Sequence, residues 1–412
     1  MESTHISGSD RLKISVAAPP LWTYLAGDTI IGSVNCPHLR DDAIISLALV
    51  GHAKTLIEKG AHAQKNQYHG VWELFEFAPQ VLHRGPVHSQ DTSETNIPFS
   101  INIPETASLS APRDRDHAQA ESFVPLHAAY IAQHPLPGTF SAEWLGAKLG
   151  IEYHLRAQFQ YKCNGSWLIQ RATAPITLGH PTIDPSTICF ALQRRSIPGM
   201  VCGLRLPPSI PLEKLSLTQR TRRMFSLSKT PEFHFTVDML MPLHIQFGNP
   251  TPIPLVLRVV PREKGISGSI RDVAQSVKIN RMGLSVLSKV EIICKSDNNS
   301  GQKVLRDENV FTQHLGLRKA FEELEGPIVT SSGPPDQQIN IGSLLQLVLR
   351  QDGLRSGDVH LSQFVDIQPS FVTFNIKLSH KMIWDVSLDI AGETRQMSSE
   401  VGVTIHNSAV RL

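Results

Sequence analysis

Histidine and cysteine side chains are the first candidates for metal chemistry in this sequence. The 412-residue chain has 18 histidines, and those in its polar loops show neither H-x-x-x-H nor H-E-x-x-H spacing. Its five cysteines are scattered and form no C-x-x-C pair: Cys36, Cys163, Cys189, Cys202 and Cys294. The sequence therefore predicts no metal site, and thiols that are reduced and structural.

Catalytic and nucleotide-binding motifs are the next candidates. The sequence has no G-x-S-x-G, no G-x-G-x-x-G and no G-x-x-x-x-G-K-[ST]. The carboxylates Asp91, Asp114 and Asp116 have no recognisable acid–base partner. We therefore expect no catalytic residue, no cofactor and no enzymatic activity. An enzyme built on the same scaffold stays open as an alternative, because fold does not fix function.

A basic stretch offers the clearest binding chemistry. Residues 194–230 contain eight Lys or Arg and a single acid, Glu213. The chain's net charge is +2 and this stretch carries +7, so the remainder carries −5. Arg220, Arg222 and Arg223 are the candidate contacts for an anion or partner, such as an acidic lipid or a phosphorylated tail. The alternative is a solvated linker.

Length and composition predict the domain organisation. A chain of 412 residues exceeds one ordinary hydrophobic core, so two domains of about 200 residues each are expected. The small net charge argues against nucleic acid as the partner. The first 16 residues are polar, and no run approaches the ~20 apolar residues of a membrane span. We expect an intracellular protein.

Strand patterns run through most of the chain. Alternation predicts that Ile151, Tyr153, Leu155, Ala157 and Phe159 point into a core while the residues between them face water. Phe233, Phe235 and Val237 repeat the pattern in the second half. Only "LRKAFEELEG" is predicted to form a helix, which ends at Gly326. These short strands predict an all-β fold of sandwich or barrel type, with the five tryptophans in core or edge packing.

The stretch "YLAGDTIIGSV" (24–34) reads as a turn that enters a strand. Gly27 can adopt positive φ, and Asp28 can hydrogen-bond to nearby backbone. Gly32 interrupts the β-branched run, which indicates a bulge or a close approach of another backbone.

Five motifs in the right order resemble those of the arrestin superfamily, in particular fungal arrestin-related (α-arrestin-like) proteins. The first is Tyr24, Gly27-Asp28, Ile30, Gly32 and Val34. The others are "ISLALVGHAK" (45–54), "NIPFSINIPE" (96–105), "LPGTFSAEW" with "IEYHLRAQF" (136–144 and 151–159), and "FVTFNIKLSHKMIWDVSLDIAGE" (371–393). The likeness covers nearly the whole chain.

The resemblance implies two tandem antiparallel immunoglobulin-like β-sandwich domains. We expect an arrestin-like N-terminal sandwich over residues 1–180, a proline-dotted basic connector over 181–214, and an arrestin-like C-terminal sandwich over 215–412.

The resemblance also implies a function. Such proteins are trafficking adaptors that bind the cytosolic tails of membrane transporters or receptors for ubiquitin-linked endocytosis or sorting. They recruit a HECT-type ubiquitin ligase through P-P-x-Y segments. Here none of the Pro-Pro pairs at 19–20, 207–208 and 334–335 has the required tyrosine, so ligase binding would be indirect. The expected location is cytoplasmic, peripheral to the plasma membrane or endosomes, with an anionic membrane surface as a possible contact.

Two alternatives to the adaptor remain at this stage. A retromer-like cargo-sorting subunit shares the double-sandwich plan. An enzyme of fungal metabolism on an arrestin-like scaffold is the alternative from another class.

The connector arginines give the first prediction. Replacing Arg220, Arg222 and Arg223 together by glutamate should abolish pelleting with anionic vesicles and leave thermal stability unchanged, because exposed linker charges contribute little to folding. Binding by the parent should weaken steeply with salt, since the screening length falls from ~10 Å at 0.1 M to ~3 Å at 1 M. The triple lysine variant is the control and should retain most lipid binding. A glutamate variant that pellets like the parent would leave this stretch as a solvated linker.

Overall fold

Strands make up 64% and helices 6% of the described residues in the computed structural model. The structure describes residues 5–9, 12–19, 21–36, 39–60, 66–76, 78–87, 95–108, 121–163, 165–203, 205–206, 230–271, 273–296, 304–324, 326–333, 337–362 and 366–408. The predicted all-β fold and low helix content are confirmed. The sheets are mainly antiparallel, which is consistent with a β-sandwich.

The chain divides into two compact units. The first unit contains residues 1–181, 290–309 and 371–378, and the second contains residues 182–289, 310–370 and 379–412. The main division falls next to residue 180, where the sequence analysis ends the N-terminal domain. The first unit also takes two segments from the second half of the sequence.

Two sheets build the first unit. In one of them, β1 (His5–Ser9), β2 (Leu12–Val16), β4 (Thr29–Cys36) and β8 (Thr95–Asn102) lie side by side in that order. In the other, the order is β6 (Asn66–Glu76), β5 (Leu39–Lys59), β10 (Ala147–Cys163) and β11 (Ser166–Leu178). Shorter elements complete the unit: β3 (Thr23–Tyr24), β7 (Gln80–Val87), β9 (Phe140–Trp144), β24 (Phe371–Val372) and helix α1 (Ala128–Ile131).

The first unit confirms the alternation predicted for β10. Its five inward residues, Ile151 to Phe159 at every second position, are at most 3% exposed. The turn before β4 is also as predicted, because Gly27 has φ +87° and the Asp28 carboxylate accepts a hydrogen bond from Leu25 N at 2.8 Å. Gly32 marks a close approach, since a Cβ there would lie 2.3 Å from Ser15 O and 2.6 Å from the Phe99 ring.

The second unit has its own core and sheets. One sheet contains β13 (Leu192–Cys202), β14 (Glu232–Pro242), β16 (Val256–Pro261) and β20 (Ile339–Asn340) in that order. Another is built on β26 (Glu393–Ser408), β25 (Ile376–Ile390) and β17 (Ser276–Ser296). The remaining strands are β12 (Thr182–Ile183), β15 (His244–Gln246), β18 (Val304–His314), β19 (Ile328–Ser331), β21 (Leu347–Arg350), β22 (Gly353–Ser356) and β23 (Val359–His360).

Two features of the second unit were predicted from the sequence. The helix in "LRKAFEELEG" is present as α2 (Leu317–Glu322), and a further short helix is α3 (Ile341–Leu344). Phe233, Phe235 and Val237 are fully buried, as their alternation predicted. β13 forms within the span that the sequence analysis assigned to the connector. No helix in the described part of the chain is both long enough and apolar enough to cross a bilayer.

The two late segments complete the core of the first unit. They contribute six buried apolar residues to it: Val290, Ile292, Cys294, Phe374, Ile376 and Leu378. The removal of apolar surface from water stabilises folding by about 25 cal/mol per Å². The core of the first unit is therefore incomplete until the chain has reached residue 378.

Buried hydrogen bonds fix both segments to β5. The Thr55 hydroxyl donates to Ile293 O at 2.8 Å, and the Asn375 amide donates to Thr55 Oγ1 and to Ala53 O, each at 3.2 Å. The segments are also joined to each other, because Ile293 N donates to Asn375 O at 2.9 Å. Thr55 is 3% exposed and Asn375 is fully buried, so none of these groups can exchange its partner for water.

Gly70 on β6 gives a prediction about this junction. It pairs with Thr55, and a Cβ at Gly70 would lie 2.3 Å from Thr55 Oγ1 and 2.8 Å from Ile293 O. Gly70→Ala should therefore lower the free energy of unfolding of the first unit by about 1–3 kcal/mol. Hydrogen exchange measures this, and faster exchange should appear in β5 and β6 but not in β14.

Gly402→Ala is the matched control. Gly402 also lies in a strand, β26, and no atom comes within 4 Å of the position of its Cβ. This variant should match the parent or be slightly more stable, because glycine costs entropy in a strand. Equal effects of the two substitutions would show that the contact with Thr55 is not what makes Gly70 necessary.

Candidate functional site

The predicted anion-binding arginines cannot be placed. Arg220, Arg222 and Arg223 lie outside the described residues. The same basic stretch includes Arg194 and Arg195 on β13, and Arg205 just beyond it, and all three are exposed. The part of the stretch that the structure describes is therefore mostly strand rather than linker.

Arg194 belongs to a charged cluster centred on Asp238. Asp238 lies in the middle of β14, directly opposite Ser196 on β13 and Arg258 on β16. Its Oδ1 accepts a hydrogen bond from Ser196 Oγ at 2.6 Å, and its Oδ2 accepts one from Arg258 Nη2 at 2.8 Å. Arg194 Nε lies 3.2 Å from the same Oδ2. The cluster therefore has two guanidinium groups for one carboxylate.

Burial decides what this cluster can do. Asp238 is fully buried although it lies on the face of β14 opposite the phenylalanines, because the side chains of the neighbouring strands cover it. Each oxygen of this buried carboxylate already accepts a hydrogen bond, and Arg194, which donates to Ser196 Oγ, adds an ion pair, so Asp238 is not placed to take a proton from a substrate. Loss of one partner from such an ion pair typically costs about 3–5 kcal/mol. The cluster is a structural ion pair with a net charge of +1.

Two serine–histidine pairs test the enzyme alternative. Ser288 Oγ and His380 Nδ1 are 2.9 Å apart, and so are Ser285 Oγ and His314 Nδ1. Ser288 and His380 are 1% and 4% exposed, so no substrate reaches them. In the described part of the chain, neither histidine forms a hydrogen bond or ion pair with a carboxylate that would orient it as in a catalytic triad.

A histidine pair lies on the outer face of β5 and β10. The rings of His52 and His154 stack with centroids 5.5 Å apart, next to a 2.6 Å ion pair between Lys54 Nζ and Glu152 Oε2. Partial burial, with His52 and the nearby cations, lowers the pKa of His154 to about 4. His154 is therefore neutral at pH 7. Among the described residues, no three His, Cys, Asp or Glu side chains are grouped to hold a metal ion.

The tryptophans divide into two groups. Trp384 is fully buried and Trp72 stacks on Phe374 with centroids 5.0 Å apart, as core packing predicted. Trp22 and Trp167 do not follow that prediction, because they are 43% and 54% exposed. Trp167 lies at the end of the β10–β11 hairpin with two more exposed apolar residues, Leu168 and Ile169. The sequence signal was present in "SWLIQR", where three apolar residues follow one another and an alternating strand would have a polar residue in the middle.

Comparison with known proteins finds no protein-family model that matches this chain and no significant match to a curated protein.

His380 gives a prediction about acid stability. Burial lowers its pKa from 6.5 to about 4, so the unfolded chain binds a proton more tightly than the folded protein does. The resulting stabilisation is complete above pH 6.5 and is lost as the pH falls from 6.5 to about 4, in total about 3 kcal/mol. His380→Gln should lose less stability over this range, because glutamine can accept from Ser288 at any pH.

Urea unfolding at pH 7, 6 and 5, followed by tryptophan fluorescence, measures the loss. His314→Gln is the matched control, since it makes the same substitution at the exposed partner of the other serine. A parental pH dependence in the His380→Gln variant would show that this imidazole does not contribute to acid sensitivity.

Proposed function

We propose that this chain is a non-enzymatic trafficking adaptor with two arrestin-like, immunoglobulin-like β-sandwich domains. It binds the cytosolic tails of membrane transporters or receptors for ubiquitin-linked endocytosis or sorting, from a cytoplasmic position peripheral to the plasma membrane or endosomes. A HECT-type ubiquitin ligase takes part indirectly, because no P-P-x-Y segment is present in the sequence.

The observation that carries the proposal is that the arrestin-like motifs contact one another in the first unit. Gly32 of the first motif pairs with Phe99 of "NIPF", and the phenylalanine ring occupies the space that a side chain at Gly32 would need. The turn at Gly27 in the first motif is hydrogen-bonded to the end of "NIPFSINIPE", since Gly27 N donates to Ile103 O at 3.1 Å. The packing of the first unit thus requires glycine at positions 27 and 32 of the first motif and leaves room for the phenylalanine at position 99.

The remaining motifs contact one another in the same way. The Tyr153 hydroxyl of "IEYHL" donates to Pro137 O of "LPGTF" at 2.7 Å. Asn375 of the last motif donates to Ala53 O of "ISLALVGHAK" at 3.2 Å. Motifs up to 322 residues apart in sequence therefore meet in one core.

The chemistry of the described residues favours an adaptor over an enzyme. The buried pair Ser288 and His380 has no access to substrate, and the Asp238 carboxylate is occupied by its partners. Exposed apolar and cationic side chains, by contrast, are abundant on the strands of the first unit. Where such side chains are grouped, they mark surfaces that bind partners.

Proximity labelling with the full chain fused to a biotin ligase tests this function. We expect enrichment of transporters or receptors together with ubiquitin-ligase components. Enrichment of retromer subunits instead would assign the chain to cargo sorting. If neither group of proteins is enriched and deletion changes a small-molecule product, the chain would be assigned to metabolism.

The Gly70→Ala variant provides the control for that experiment. It should lose the enriched partners because it destabilises the first unit, whereas Gly402→Ala should retain them. Partners that persist equally with both variants would not depend on the folded first unit.

A further inference from the structure

The last two residue pairs of the β10–β11 hairpin lie beyond its pairing with β5. Its last pairing with β5 joins Tyr161 to Ala43. Beyond that point, among the described residues, Lys162 pairs with Trp167 and Cys163 pairs with Ser166. Trp167, Leu168 and Ile169 are 54%, 44% and 52% exposed, and we call these three residues the hairpin tip.

The hairpin tip is apolar on both faces. Successive side chains in a strand point to opposite sides, so Leu168 faces one way while Trp167 and Ile169 face the other. The rest of β11 obeys the usual rule, since Ala172 and Ala174 are buried and the residues between them are exposed. A docked protein surface would cover one face of such a ribbon. A lipid bilayer surrounds both faces.

The charge of the hairpin matches an anionic bilayer. Residues 153–183 contain three cations, Arg156, Lys162 and Arg171, and no acidic residue. Lys162 pairs with Trp167, and Arg171 lies four residues along β11, about 13 Å away at ~3.3 Å per residue. Lysine can extend its charge from an apolar site towards phosphates, and tryptophan is favoured at the membrane interface.

We propose that the hairpin tip inserts into the interfacial region of an anionic lipid bilayer. Trp167, Leu168 and Ile169 enter the boundary between headgroups and acyl chains, while Lys162 and Arg171 contact lipid phosphates. Interfacial segments of this kind reach about 5–10 Å into the bilayer. The inference rests on the proposed peripheral membrane function and names the surface that makes the contact.

Vesicle co-sedimentation of the full chain tests the apolar part of the site. Vesicles of phosphatidylserine and phosphatidylcholine should pellet the parent, and Trp167→Ser with Ile169→Ser should weaken partitioning at least about tenfold, since each buried CH₂ contributes ~0.8 kcal/mol. Leu145→Ser with Val329→Ser is the matched control, because these apolar residues are at least as exposed as Trp167 and Ile169 but lie elsewhere. This control should pellet like the parent.

A second pair of variants tests the charges. Lys162→Glu with Arg171→Glu should abolish binding to anionic vesicles, and Arg262→Glu with Lys264→Glu, which makes the same charge change at exposed residues of the second unit, should not. Binding should fall with salt and be weak on phosphatidylcholine alone. Thermal unfolding of all variants should match the parent, because the altered side chains are exposed.

Quenching by brominated lipids locates the contact. Parent protein on anionic vesicles should lose tryptophan emission, and Trp167→Phe should remove most of that loss while still pelleting. Failure of the parent to pellet, or parental pelleting by the serine variant, would overturn the inference. So would loss of binding only in the glutamate variant of Arg220, Arg222 and Arg223, or binding to soluble phosphopeptides in place of vesicles.

The two proposals fail separately. Vesicle binding that depends on the hairpin tip, together with no trafficking partners in proximity labelling, would leave this inference standing and refute the adaptor function. If trafficking partners are enriched but the hairpin variants pellet like the parent, the adaptor function would stand and this inference would be refuted.

Discussion

The hydrogen bonds between Asn375 and the strand residues Ala53 and Thr55 are the constraint on which the first unit depends. They join parts of the chain that are more than 300 residues apart, inside a core that excludes water. A buried carboxamide without partners costs about 1–3 kcal/mol or more. The late segment (371–378) can therefore pack in a single position, in which the Asn375 side chain has its hydrogen-bond partners and Phe374 and Ile376 are buried beside it.

This constraint makes folding of the first unit a long-range process. Its strands pair locally through hairpins such as β10–β11, but its core closes only when residues 290–309 and 371–378 arrive. Closing such large loops lowers the conformational entropy of the chain, and pairing between neighbouring strands does not compensate for this loss. Folding of the first unit is therefore slow. In the second unit a buried polar group finds its hydrogen-bond partners on adjacent strands. The Asp238 carboxylate accepts hydrogen bonds from side chains of β13 and β16.

Sequence patterns predicted what depends on near neighbours. The alternation in β10 and the positive φ of Gly27 follow from local geometry, and the structure has them. The glycine inside the β-branched run also predicted the close approach at Gly32, but not its partners Ser15 and Phe99. The burial of Asn375 and Asp238 was not predictable, since Asn375 lies in the bend between β24 and β25 and alternation places Asp238 on the face of β14 opposite the phenylalanines. Both are buried because distant residues cover them. The same limit applies to Trp167, because the pairing of β10 with β5 stops at Tyr161 and Ala43, and its own sequence does not show this.

The charge of this chain shows why whole-chain composition is a poor guide to its surfaces. The net charge is +2, yet residues 194–230 carry +7 and residues 153–183 carry +3, so the remainder carries −8. A small net charge indicates weak attraction at long range, but local potentials act within a screening length of about 10 Å at 0.1 M salt. In the hairpin, such a local positive potential coincides with a tip that is apolar on both faces. Neither property alone specifies a bilayer: cations alone attract any anion, and exposed apolar residues alone attract any apolar surface. Their combination on one ribbon is what a partner that is anionic at its surface, apolar beneath it and able to surround both faces would bind.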